Sequence, residues 1–221
     1  IIGSSRVPSP GEVKRRIYDT FPTQDRAVTK ADYENVAYRM ARKYGSVKRV
    51  SVQKDPDSLK RNLNMYVISE DNFGKLIKSN ATIKNNLKTW LNHYRMINDT
   101  IDILDAYIFN FGIDFDVSVS ADGNKYQVVQ RCMTYLEKHY KSGFFIGEPI
   151  YISEIYSILS KVKGVTSVNS VIIKAKTGVK YANTKFDINS NISPDGGVLV
   201  IPKNVIPELK FPRVDIKGQS K

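Results

Sequence analysis

The sequence predicts an α+β protein, with amphipathic helices packed on mixed or antiparallel sheets. It predicts two α+β subdomains, a β-rich C-terminal part and an extended tail. Three observations carry this. Tyr107 to Val119 (YIFNFGIDFDVSV) is apolar at every odd position and mostly polar or small at even ones, a period of two that puts one row on a buried face and the other towards solvent. Several other stretches place apolar residues at helical spacing behind capping residues. Finally, a capped helix, a glycine stop and a valine-rich strand occur twice, at Thr29 to Val52 and at Ser153 to Val171. That echo reads as two α+β layers or one duplicated unit. The corresponding division is 1–24 lead-in, 25–98 first unit, 99–175 second unit with the long strand, and 176–221 hairpin and proline-spaced arm.

The lead-in carries Gly3, Ser4, Ser5, Pro8, Ser9, Pro10, Gly11 and Pro22, with room for a short helix over Glu12 to Tyr18. Thr29 and Asp32 form a capping-box pair. Tyr33, Val36, Ala37, Met40 and Tyr44 follow as a helical stripe, and Gly45 is a natural stop. Val47, Val50 and Val52 read as a strand that ends at Asp55-Pro56-Asp57, and Asn64 to Ser69 as a second. Asn80 caps a helix whose stripe is Ile83, Leu87, Trp90, Leu91 and Tyr94. The long strand would run about 40 Å at roughly 3.3 Å per residue, with Gly112 marking a bend or bulge.

Asp122-Gly123-Asn124 turns the chain into a helix with Val128, Val129, Cys132, Met133, Leu136 and Tyr140 inward. Ser153 is expected to cap the next, with Ile155, Tyr156, Leu159 and Val162 inward, stopped by Gly164. Residues 183–201 look like a hairpin turned at Ser193-Pro194-Asp195-Gly196-Gly197. Pro202, Pro207 and Pro212 then exclude helix and central strand. An arm of this kind lies on its own domain or on a neighbour. The expectation is that Val205, Ile206, Leu209 and Phe211 dock on a neighbouring subunit.

Composition narrows the function classes. The 221 residues carry 34 Lys+Arg against 22 Asp+Glu, net +12 at pH 7. The bases are dispersed, the tightest groups being Lys14-Arg15-Arg16, Arg42-Lys43 and Lys48-Arg49. A solvated basic surface, or one matching an acidic partner, accounts for them better than a nucleic-acid module, which stays as the alternative. No run of about 18 apolar residues is present, so no membrane partner is expected. The chain begins at Ile1 and reads as a piece of something longer. A single cysteine rules out an internal disulfide framework.

Chemistry is sparse. Phosphate-binding loops, HExxH, CxxC and GxSxG are all missing from the sequence. His93 and His139 are far apart, and Cys132 lies on an apolar helix stripe. Asp102 and Asp105 could make a metal site with a distant carboxylate, but the sequence gives no support for it beyond their presence. Asp114 and Asp116 read as solvent-facing strand charges. No catalytic residue, metal or cofactor is assigned, and the chain is not expected to be an enzyme.

The order of pieces is more informative than any one motif. It runs RAVTKADYENVA, a glycine-stopped helix with a valine strand, MYVIS, ATIKNNLKTWLNHYRMIND, YIFNFGIDFDVSV, a helix, and IGEPIYISEIYSILSKVKGVTSVNSV. This resembles the baseplate J-like family of contractile-tail phages and related injection machines, over residues 25 to 173. The best anchors are Thr29, Asp32 and Tyr33 and the block from Gly147-Glu148-Pro149-Ile150 to Gly164-Val165. The family's proline-containing entry to the long strand is replaced here by Thr100 to Asp105, and its Gly-Val after the first helix by Gly45-Ser46-Val47. The resemblance implies a structural virion protein of the tail baseplate, assembled in the host cytoplasm. Such a protein forms a homodimer and then a ring around the hub, held by other baseplate wedge proteins, and it has no catalytic residues. Thirteen tyrosines suit a protein made of interaction surface.

Overall fold

The structure, a computed structural model, describes residues 10–20, 25–56, 62–120 and 124–220. Most of the lead-in, Asp57 and the Asp122-Gly123 turn lie outside the described residues. The chain divides into two compact units, Ile1–Ala106 and Tyr107–Lys221.

The first unit contains helices α1 (Pro10–Thr20), α2 (Lys30–Arg39) and α3 (Ala81–Leu91). Its strands are β1 (Arg49–Lys54), β2 (Asn62–Glu70), β3 (Leu76–Ile77) and β4 (Thr100–Asp105). β2 is central, antiparallel to β1 and β3 and parallel to β4. The capping box at α2 forms as expected. The Asp32 amide donates to Thr29 Oγ1 at 3.2 Å, and the Thr29 amide donates to Asp32 Oδ2 at 2.8 Å. Tyr33, Val36 and Ala37 of α2 then pack with Val50, Val52, Met65, Val67, Ile83, Leu87 and Leu91 in one core. Trp90 is half-buried beside them and donates its indole N–H to Val36 O at 2.9 Å.

The stop at Gly45 needs correction. α2 ends at Arg39, and Gly45 instead closes a separate 3₁₀ turn, Arg42–Tyr44, at φ +109°. A Cβ on Gly45 would stand 2.8 Å from Ile83 Cγ1. Tyr44 consequently leaves the buried stripe and is exposed. Thr100 to Asp105, read only as the approach to the long strand, is a strand of the first sheet.

The second unit is built on β5 (Tyr107–Val119). Around it stand α4 (Lys125–His139), β6 (Ile150–Tyr151), α5 (Ile152–Ser160), β7 (Val165–Ala175), α6 (Ile188–Asn191), β8 (Val198–Leu199), β9 (Val205–Glu208), α7 (Pro212–Asp215) and β10 (Ile216–Ser220). β7 runs antiparallel to β5, while β9 and β10 pair parallel with its first and later halves. Phe109, Phe111, Ile113, Phe115 and Val117 are buried with Val128, Cys132 and Leu136 of α4 and Ile155 and Leu159 of α5. Each such side chain contributes about 2 kcal/mol of burial.

Four expectations change here. The even face of β5 is wet only in part, because Asn110 and Gly112 are buried and Asp114 and Asp116 half-buried. Gly112 marks no bulge. The ladder to β7 is regular there and shifts only at Asp116/Val117 and Ser118/Val119. The glycine is required by close approach, since a Cβ would lie 2.7 Å from the Asp215 carbonyl oxygen. α5 starts without a side-chain cap, its Ile152 and Ser153 amides donating to Gly197 O at 2.9 and 3.4 Å. The hairpin shrinks to its turn and one bridge, Ile192↔Leu199. Asp187 caps the helical turn α6, accepting from the Asn189 amide, so Ile188 never enters a strand, and β8 pairs with β6.

The proline-spaced tail is also ordered differently. It is laid on its own unit as β9, α7 and β10. Pro207 is accommodated because β5 is the only named strand that pairs with β9, and Pro212 sits in the first turn of α7.

Candidate interaction surfaces

The four residues expected to meet a neighbour lie within this unit. Val205 and Ile206 are 6% and 0% exposed on β9. Leu209 packs half-buried against the core, and the Phe211 ring meets Tyr181 edge-on at 5.7 Å. Two buried polar clusters fasten the segment. Asn110 donates through Nδ2 to Glu208 Oε2 at 2.8 Å, and its Oδ1 accepts from the Ala182 amide at 2.7 Å. Asp215, fully buried, accepts from the Tyr181 hydroxyl at 2.6 Å and the Phe211 amide at 2.8 Å. The hydrogen bond to Asp215 pushes the Tyr181 phenol up to about 12, because the neutral phenol is the donor.

The titratable residues do not converge. His93 is exposed, while His139 Nε2 lies 3.4 Å from Glu154 Oε1. Burial pushes the Cys132 thiol up to about 11, the behaviour of an inert core cysteine. Asp102 accepts from Asn62, Asp105 pairs with Lys84 at 3.0 Å, and Asp114 pairs with Lys174 at 2.5 Å. No group of three or more His, Cys, Asp or Glu that could hold a metal occurs among the described residues. No helix among them is long and apolar enough to cross a membrane.

The basic groups have internal roles too. Lys48 pairs with Glu70 at 2.8 Å. Arg49, 4% exposed, pairs with Glu12 of α1 at 2.9 Å. Lys43 stands over the Tyr44 ring. The Arg15 and Arg16 side chains lie outside the described residues. The surface also presents aromatic and aliphatic side chains. Tyr18, Tyr44, Tyr107, Tyr126, Tyr135 and Tyr151 are all exposed, as are Phe73 and Ile97. Six of the thirteen tyrosines therefore stand outside both cores. A shallow depression of about 420 Å³ lies between α3 and β4, with Lys84, Asp102 and Ile103 in its lining. An open groove of about 680 Å³ runs between α4 and β10. Neither gathers a reactive set of side chains.

No family model matches the chain, and no curated protein does. The fold does have a solved counterpart. A chain in the cryo-EM structure of the anti-feeding prophage (AFP) baseplate, 6-fold symmetrised, superposes with a TM-score of 0.53 at 12% identity. The match covers 90% of the present chain and 41% of the AFP chain. The likeness is therefore one of fold, and it includes both units.

Proposed function

We propose that this chain is a structural component of a contractile-tail baseplate, similar to the inner-ring wedge protein of T-even-type phages. In this role it self-associates into a ring around the tail hub, contacts other wedge proteins, and couples baseplate rearrangement to sheath contraction. The observation that carries the reading is the fold shared with a chain of the AFP baseplate over 90% of the present chain. The order of sequence motifs points the same way. A surface rich in exposed tyrosine, with no convergent polar pocket, suits assembly.

Light scattering behind size exclusion, at low and at high salt with the absorbance ratio recorded, tests this. A discrete dimer or larger species that survives high salt free of nucleic acid is expected. A monomer that carries nucleic acid at low salt and sheds it at high salt overturns the reading in favour of a binding module.

A further inference from the structure

We infer that the outer edge of β10, with the groove between it and α4, is a docking site for an extended acidic segment of a partner protein, added as one more strand. This rests on the second unit's geometry and not on the baseplate reading.

Among the described residues, β10 is the last strand on its side of the sheet. Its first amide, Ile216 N–H, turns back to Pro212 O, and its register with β5 runs from Ile216↔Ile113 to Ser220↔Val117. In a parallel ladder, alternate residues direct both main-chain groups to the same neighbour. Lys217 and Gln219 therefore face β5, and the N–H and C=O groups of Gly218 and Ser220 face outward. The opposite edge of the sheet differs. There the outward Val171 amide of β7 is taken by the Tyr156 hydroxyl at 3.1 Å. The sheet thus has one edge partly blocked by a side chain and one left open, and an open edge is a template for pairing.

The groove beside that edge supplies the side-chain recognition. Tyr126, Val129 and Met133 of α4 line one side, and Val214 of α7 closes an end. Tyr126 is 86% exposed and Val214 61%. A strand added to β10 would set alternate side chains into this trough, where Gln130 stands among the apolar residues of α4, the others facing away from it. Charge selects the occupant. Arg213 and Lys217 stand exposed on the rim, and among the described residues no carboxylate lines the groove. A second copy of a chain with net charge +12 is disfavoured there. A segment alternating apolar and acidic residues satisfies both the trough and the rim.

The test uses the whole chain and a fluorescein-labelled octapeptide of alternating Glu and Val, read by fluorescence anisotropy. Saturable binding is expected, with a Lys-Val peptide binding far less. The double variant Arg213→Glu/Lys217→Glu should weaken the Glu-Val peptide about tenfold and gain affinity for the Lys-Val peptide. Its circular dichroism and melting should be unchanged, since both side chains are exposed. N-methylation of every backbone amide of the Glu-Val peptide should abolish binding, because strand addition needs those donors. Absence of saturable binding overturns the inference, as does indifference to charge reversal. Equal binding of the N-methylated peptide reduces the site to a charged patch and overturns strand addition. Self-association of the chain that the same double variant removes would mean that a second copy occupies the edge, which overturns it as well.

Discussion

Asn110 and Glu208 meet at 2.8 Å in a buried pair, although 98 positions separate them in the chain. Asn110 stands on the face of β5 that alternation assigns to water, and it is buried because the C-terminal segment comes back over it. Replacing Asn110 with alanine removes the donor to Glu208 and the acceptor for the Ala182 amide. We expect a loss of about 2 kcal/mol in unfolding free energy, read as a lower urea midpoint. An unchanged midpoint would show that the pair does not anchor the segment.

Truncation after Pro202 should do more than free an arm. It removes β9 and β10, and with them the buried side chains of Ile206 and Ile216. The shortened chain should lose near-ultraviolet dichroism and bind a hydrophobic dye such as ANS. Trp90, the one tryptophan, belongs to the first unit's core and serves as an internal control whose emission stays native. A truncated chain with an intact second core would restore the view of the tail as a detachable arm.

Gly218 lets the Phe115 ring lie directly against the β10 backbone, and a Cβ there would also stand 2.8 Å from Val129 Cγ1. Gly218→Ala should cost about 1–3 kcal/mol through overpacking. Combining it with Phe115→Leu should recover part of that loss, a coupling that a double-mutant cycle measures. Strict additivity of the two changes would argue against the contact.

Alkaline titration isolates the Tyr181–Asp215 contact. The phenol is raised from 10.0 to about 12 in the folded chain by its hydrogen bond to Asp215. The neutral form is favoured on folding, so this stabilisation is fully present below pH 10 and is lost as pH rises through about 12. Tyr181→Phe should abolish that part of the pH dependence. It should also delete one late increment in the tyrosinate absorbance. A difference titration that places the missing increment near pH 10 would contradict the contact.

Local signals carried most of the elements. The Thr29–Asp32 box, the Asn80 cap and the buried odd row of β5 from Phe109 to Val117 each depend on neighbours in sequence, and each forms. The misreadings share a different origin. Ser153 is not the cap of α5 because a distant carbonyl, Gly197 O, serves its first amides. Ile188 looked like a strand residue until Asp187 folded a helical turn. That β5 takes Val205 and Ile206 as a parallel partner is likewise shown by nothing nearby in sequence. The groove at β10 was invisible for the same reason. It joins α4 to residues about ninety positions later, and no pattern within either segment announces the other.

The pairing of β5 with β9 and β10 also sets an order of events. A parallel pair that closes across about a hundred residues incurs its loop entropy before any contact repays it. The strand at the centre of the second core is made early, yet it waits, with one edge bare, until Ser220 has been synthesised. On this argument the antiparallel meeting of β5 and β7 is expected first, and closure by the late strands is expected as the slow step. During that interval Phe109, Phe111 and Phe115 have only part of their cover. Aggregation would then begin from chains whose late strands have not yet closed on β5, rather than from wear of the mature fold.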